Sequence, residues 1–294
     1  MRLWTVALVA LAFSAGAGAG QEAPKIFISV DMEGISGIGT GAMTSATGKD
    51  YATGRRLMTA DVNAVVDAIF AHGPAEVLVN DSHGDHQNLL HTELDPRVTY
   101  VQGAIKPLGM VSGLDASFDA AIFVGYHAKA GDPTGFLAHT GTGSVKGLWL
   151  NDIEVGEAGM NAAFAGMHGV PVILTAGDSA FTAEIRGFLD AETVTTKVSV
   201  TPAAARLRHP QLVHQDLQAA VHTALDRLAA GDFRPWHVGT PVDIRMRFTA
   251  PTHVAILQSI PGMSRIDGYT AAYSATDADE AYRLIRLMYR FVRQ

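Results

Sequence analysis

Four short apolar runs decide what this chain can fold into: Lys25 to Val30, Ala75 to Val79, Ala120 to Gly125 and Val170 to Thr175. Polar residues scarcely interrupt them, so each reads as a buried strand. Helical spacing fills the intervals. Leu57, Met58, Val62, Val65, Val66, Ile69 and Phe70 recur three and four apart between Tyr51 and His72, and Gly73 follows as a stop. Gly156 to His168 and Ser179 to Leu189 read as further helices, and Val98 to Val101 and Val145 to Leu150 as extended segments. Strands alternating with helices predict an α/β fold, a layered core with a largely parallel sheet flanked by helices.

The texture changes near residue 190. The region 21–190 reads as α/β, and 191–294 as a smaller α+β C-terminal region that can belong to the same domain. Val194 to Val200 is extended and Leu212 to Ala230 is an amphipathic helix. Val242 to Phe248 alternates apolar and polar residues, as a strand with one wet face does, and Val254 to Gln258 is expected as its partner strand. Asp277 to Val292 reads as a closing helix. Asp277, Asp279 and Glu280 lie at its start and Arg290 and Arg293 at its end, matching the helix dipole.

Residues 1–20 have the layout of a secretory signal peptide: Arg2, an apolar stretch from Leu3 to Phe13, and a small-residue tail with Ala17-Gly18-Ala19 as a cleavage site. The apolar stretch is too short to span a bilayer. The expectation is therefore a periplasmic or secreted protein with no membrane anchor once the signal is cleaved. Composition narrows the chemistry. The 294 residues are 48% hydrophobic and 17% charged, which excludes a disordered chain. There is no Cys, which excludes disulfides, thiolate metal sites and a cysteine nucleophile. A net charge of −7 without a basic run argues against a nucleic-acid partner. Any metal must be held by nitrogen and oxygen, and 12 His are available.

Chemistry-bearing residues follow the strand-like runs. Asp31 and Glu33 follow Val30. Asn80-Asp81-Ser82-His83 follows Val79, His127 follows Gly125-Tyr126, and Glu157 lies at a helix start after Val155-Gly156. In an open α/β sheet, ligands gather at the carboxyl ends of the strands, so these loops converge on one rim. Asp31, Glu33, His83, His127 and Glu157 offer two imidazoles and three carboxylates. That set suits zinc or a similar divalent ion, and one carboxylate can bridge two ions. Taken singly, each also reads as a turn, cap or surface residue. His139 lies in a Gly-containing loop that can present a mobile group, or it is an ordinary loop histidine. His86 and His91 read as polar surface.

The motifs SVDMEGISG (29–37), VNDSHGDHQNL (79–89), GYHA (125–128), PTGFLAHT (133–140) and NDIEVGEAGMNA (151–162) resemble the D-aminopeptidase family of zinc metallopeptidases. The resemblance runs from about residue 25 to the C-terminus. It implies a binuclear site with two zinc ions per chain. Asp31 would bridge them, Glu33 and His83 would complete one ion, and His127 and Glu157 the other. It implies His139 as the catalytic histidine, acting as general acid–base or as nucleophile. It also implies a homo-oligomer, characteristically a decameric ring. Asp81 then reads as a partner that orients a ligating His or as a turn residue, and Lys129 as facing a substrate carboxylate or solvent.

The resulting expectation is a zinc-dependent aminopeptidase acting on short peptides with N-terminal D-residues such as D-Ala. Two other readings stay open on the sequence. One is a different binuclear metal amidohydrolase on the same residues. The other is a non-catalytic periplasmic peptide-binding protein, which would have no need of the full ligand set together with His139.

Overall fold

The computed structural model describes residues 23–291, so the expected signal segment and Arg293 lie outside the described residues. In chain order, β1 (Lys25–Val30) leads to α1 (Tyr51–His72), β2 (Glu76–Asp81), β3 (Thr99–Val101) and β4 (Ala120–Tyr126). The hairpin β5 (Val145–Leu150) and β6 (Ile153–Glu154) precedes α2 (Glu157–Met167), β7 (Val172–Asp178) and α3 (Ser179–Ile185). Then come β8 (Glu192–Thr201), β9 (Ala204–Leu207), α4 (Pro210–Ala229), β10 (Val242–Phe248), α5 (Pro251–Leu257), β11 (Ser264–Arg265), β12 (Thr270–Ala275) and α6 (Ala278–Phe291).

A seven-stranded sheet has the order β3-β2-β1-β4-β7-β8-β9. Strands β3 to β8 of that order are parallel, and β9 returns antiparallel to β8. The connections run outward in one direction from β1 and in the other from β4. The crevice at that reversal lies outside the carboxyl ends of β1 and β4, where such sheets bind ligands.

The apolar runs need cover on both sides, and successive side chains show where it comes from. Ile26, Ile28 and Val30 of β1 join a core with Val62, Val65 and Ile69 of α1 and Val213, Leu217 and Val221 of α4. Phe27 of β1 and Phe123 of β4 point the other way. They join a second core containing Phe164 of α2, Tyr282 and Ile285 of α6, and the inner face of a second sheet. This five-stranded antiparallel sheet has the order β11-β12-β10-β5-β6 and so combines segments from both halves of the chain. The change of texture near residue 190 falls between β7 and β8, which are parallel neighbours in the large sheet. No helix among the described residues is long and apolar enough to cross a membrane.

One expected strand is a helix. Residues 254–258 overlap α5, and the partners of β10 are β12 and β5. Pro251 sits in the first turn of α5, where its missing N–H is no loss. Its buried side chains, His253, Val254 and Leu257, are spaced for one helical face.

The alternation along β10 has a measurable consequence. Ile244 is fully buried, whereas Arg245 lies on the outer face over Trp149 and pairs with Asp152. Ile244→Ala should cost about 3 kcal/mol in denaturant unfolding. Arg245→Ala should cost under about 1 kcal/mol.

Candidate metal centre

Asp31 leaves the end of β1 and lies between two imidazoles. Its Oδ1 is 3.1 Å from His83 Nδ1, and its Oδ2 is 3.3 Å from His127 Nε2. Glu33 Oε2 is also 3.1 Å from His83 Nδ1. On the other side, Glu157 Oε2 is 3.5 Å from His127 Nε2, and Glu157 Oε1 is 3.6 Å from His139 Nε2. Two groups of donors result, Asp31–Glu33–His83 and His127–His139–Glu157, each with ligand atoms close enough for one ion. The structure thus brings all six sequence-predicted residues to one rim, with Asp31 between the two groups. The rings of His127 and His139 stack with centroids 4.1 Å apart.

The histidine hydrogen bonds test whether these residues suit a cation. His83 Nε2 donates to the Thr44 carbonyl at 2.8 Å, and His127 Nδ1 donates to the Ala128 carbonyl at 3.0 Å. His139 Nδ1 donates to the Leu137 carbonyl at 2.9 Å. A carbonyl only accepts, so in each neutral ring the proton sits on the outer nitrogen. The remaining lone pair then faces a carboxylate, an arrangement that calls for a positive charge between them. Asp31 Oδ2, Glu33 Oε2 and His127 Nε2 are buried without a hydrogen-bond partner. This is the pattern expected of metal ligands held by outer hydrogen bonds.

Electrostatics point the same way. Burial opposes charge on Glu33, His83, His127 and Glu157. The neighbouring imidazoles nevertheless hold the Glu33 carboxyl well below its usual range, chiefly through His83, and bring Glu157 to about 2, chiefly through His127. Conversely, Glu33 and Asp31 push His83 up, and Glu157 and Asp31 push His127 up, against the effect of burial. The carboxylates form a pocket of negative charge that stabilises any cation placed in it.

The loop after β1 is fixed by buried polar groups. Asp31 N–H donates to Val124 O, and Gly34 N–H donates to Gly125 O at 2.7 Å. Lys197 of β8 is fully buried and donates from Nζ to Glu33 O and to Ile38 O, the latter at 2.8 Å. Thr196 Oγ1 donates to Gly34 O, and Asp61 of α1 accepts from the backbone and hydroxyl of Ser36 and from His214 of α4. Burial brings the Lys197 amine down to about 7, although Asp61, Asp178 and Glu33 favour its charge. The His139 loop is tied on as well. Phe136 N–H donates to Asp178, Leu137 N–H to Pro202 O, and Gly141 N–H to Glu157 Oε1 at 2.6 Å.

Sequence patterning misses most of this frame. Lys197, the single charge inside the extended run 194–200, is the one sign that the strand meets something polar. One open reading is settled, Asp81 being the turn residue, and one changes. Asp81 does not reach an imidazole; its carboxylate accepts from Asn88 N–H, Leu89 N–H and Asn88 Nδ2 and so shapes the turn that carries His83. His86 is buried rather than on the surface. Its Nδ1 donates to Asp81 O, and burial lowers its pKa to about 4. His91 is exposed, as expected. Lys129 Nζ lies 4.0 Å from Glu154 Oε2.

Comparison with known proteins gives the family of the chain. The family model described as D-aminopeptidase matches residues 25–287. A D-aminopeptidase of Bacillus subtilis (strain 168) is 38% identical over 187 residues, covering 63% of this chain and 68% of that protein. A solved structure, the Zn-dependent D-aminopeptidase DppA from Bacillus subtilis, described as a self-compartmentalizing protease, superposes with a TM-score of 0.87. It is 32% identical, and the match covers 90% of this chain and 97% of that one.

The contact between the β1 and β4 loops can be tested directly. A Cβ on Gly34 would lie 1.9 Å from Tyr126 O, whereas Gly73 has nothing within 4 Å. Gly34→Ala should lower stability by about 3 kcal/mol in denaturant melts. Gly73→Ala, at an extended position, should change it by no more than about 0.5 kcal/mol.

Proposed function

The chain belongs to the D-aminopeptidase family, and from that premise we propose that this zinc-dependent aminopeptidase removes N-terminal D-residues, D-Ala among them, from short peptides. The observation that carries the site assignment is the orientation of three histidines, each tied outward to a carbonyl and presenting its free nitrogen to a carboxylate. Two zinc ions per chain are supported by the two donor groups, one on Asp31, Glu33 and His83 and the other on His127 and Glu157 with Asp31 Oδ2 3.3 Å from His127 Nε2, His139 of the second group being kept for catalysis. When bound, zinc supplies a Lewis acid that polarises the scissile carbonyl and lowers the pKa of water.

The chain's own residues supply the rest. With Nδ1 holding its proton against Leu137 O, His139 Nε2 has a lone pair facing the centre. It can take a proton from the attacking water and return it to the leaving amine, the work of a general acid–base. Glu157 would be both ligand and anchor, since it also receives Gly141 N–H from the His139 loop. The Asp178 and Pro202 contacts keep that loop in place around His139.

Two further parts of the proposal concern context. Residues 1–20 act as an export signal, which supports a periplasmic or secreted enzyme meeting D-Ala-containing peptides. The chain assembles with copies of itself, a decameric ring being the form proposed, and the description of the related structure as self-compartmentalizing supports this.

Matched D- and L-alanyl peptides assayed with and without zinc test the substrate. D-peptide hydrolysis that a chelator abolishes and zinc restores is the expected result; turnover of L-peptides alone would overturn the stereochemical claim. His139→Ala should bind zinc like the parent chain while kcat falls by about 10²-fold or more. Full activity in that variant would remove His139 from the mechanism.

A further inference from the structure

The two halves of the centre are braced differently. Glu33 and the loop after β1 are held by Lys197, Asp61 and Thr196. None of these groups hydrogen-bonds to the segments carrying His127 and Glu157. Those two segments are joined to each other by one carboxylate from α3. Glu184 Oε2 accepts Lys129 N–H at 2.8 Å, and its Oε1 accepts Gly156 N–H at 3.0 Å.

Lys129 lies two residues after His127, and Gly156 immediately precedes Glu157. The two backbones are in contact, since a Cβ on Gly156 would sit 3.0 Å from Lys129 Cα. Gly156 is the N-cap of α2, and it has no side chain with which to cap that helix. Each oxygen of Glu184 therefore serves one of two segments that are far apart in sequence, and together they fix the spacing of the two side chains. The nearer ends of both segments would otherwise leave an N–H in a largely buried place without an acceptor, which is unfavourable.

We infer that Glu184 is a positioning residue for one metal of the pair: by joining Lys129 N–H to Gly156 N–H it sets zinc affinity at His127–Glu157 and leaves Asp31–Glu33–His83 unaffected. The inference rests on the two-zinc reading of the centre. Partners that orient ligands from behind change metal affinity by about 10- to 100-fold when removed, and Glu184 acts one step further back, through the backbone of both segments.

The test is a competition titration of zinc-free, full-length mature chain against a zinc-chelating dye. Two backgrounds isolate the sites: Glu33→Ala leaves the His127–Glu157 half, and Glu157→Ala leaves the Asp31–Glu33–His83 half. Adding Glu184→Ala should weaken zinc about 10-fold or more in the first background and less than about 2-fold in the second. Glu184→Gln, which keeps one carbonyl acceptor in the same place, should recover part of that loss, and thermal melts confirm that each variant is folded. Equal losses in both backgrounds, no loss in the first, or no recovery with Gln would overturn the inference. If Glu184→Ala does not fold, the Gln variant alone must weaken the first background selectively. Fewer than two zinc ions on the parent chain would overturn the two-zinc reading and this inference with it. Two ions with an indifferent Glu184 would overturn the inference alone.

Discussion

A carboxylate between two imidazoles is the contact around which the rest of this structure is arranged. Asp31 directs one oxygen toward His83 and the other toward His127. It can do so because it leaves β1, whose neighbours on either side are β2 and β4, the strands that deliver the two histidines. Only at the reversal of strand order do loops on both flanks lean over the same point. Glu33 and Glu157 then add charge from each side, and the result is a buried anionic pocket. Burying such charge is unfavourable by several kcal/mol per ion unless a cation accompanies it. The same imbalance that would weaken an empty centre is what gives it affinity for a metal.

Keeping those charges in place requires a rigid surround, which is itself polar. Beneath the centre, Ser29, Tyr126 and Asn161 are linked by short hydrogen bonds inside the core. Behind the β1 loop, Lys197 crosses from β8 to two carbonyls and lies against the Phe136 ring, while Asp178 receives Phe136 N–H. A loop that buries its backbone must satisfy its polar groups, and here β4, β7 and β8 of the large sheet contribute to doing so. The His139 loop joins this frame at both ends, through Asp178 and through Glu157. Its histidine therefore approaches the centre without depending on a free hinge.

Much of the parallel sheet was legible because its strands are apolar runs separated by helical spacing, both local patterns. The boundaries of β1, α1 and β5 agree with the sequence reading. The second sheet was harder. Residues 254–258 are too short to separate helix from strand by periodicity, and Pro251 in the first turn was the overlooked sign. The true partner, β12, carries Thr270, Ala271 and Ala272, a composition with little strand signature of its own. Within the centre, the ligand types at strand ends were legible by motif. His86 was not, because a GDH turn gives no hint that the ring is buried with its Nδ1 on Asp81 O, a carbonyl that also accepts from Lys106 Nζ.

The chain by itself determined its class of chemistry. Without Cys, and with Asp, Glu and His at the ends of buried strands, it could build only a nitrogen–oxygen metal site, and the order of its motifs placed it in one family. Tertiary structure decided how those groups are divided. Which nitrogen each histidine offers depends on carbonyls at Thr44, Ala128 and Leu137, and which half of the centre each carboxylate joins depends on strand order. Lys197, Asp61 and Glu184 acquire their roles from partners well removed along the chain. Residue type and spacing are local properties, whereas hydrogen-bond direction and shared charge are set only when distant segments are packed together.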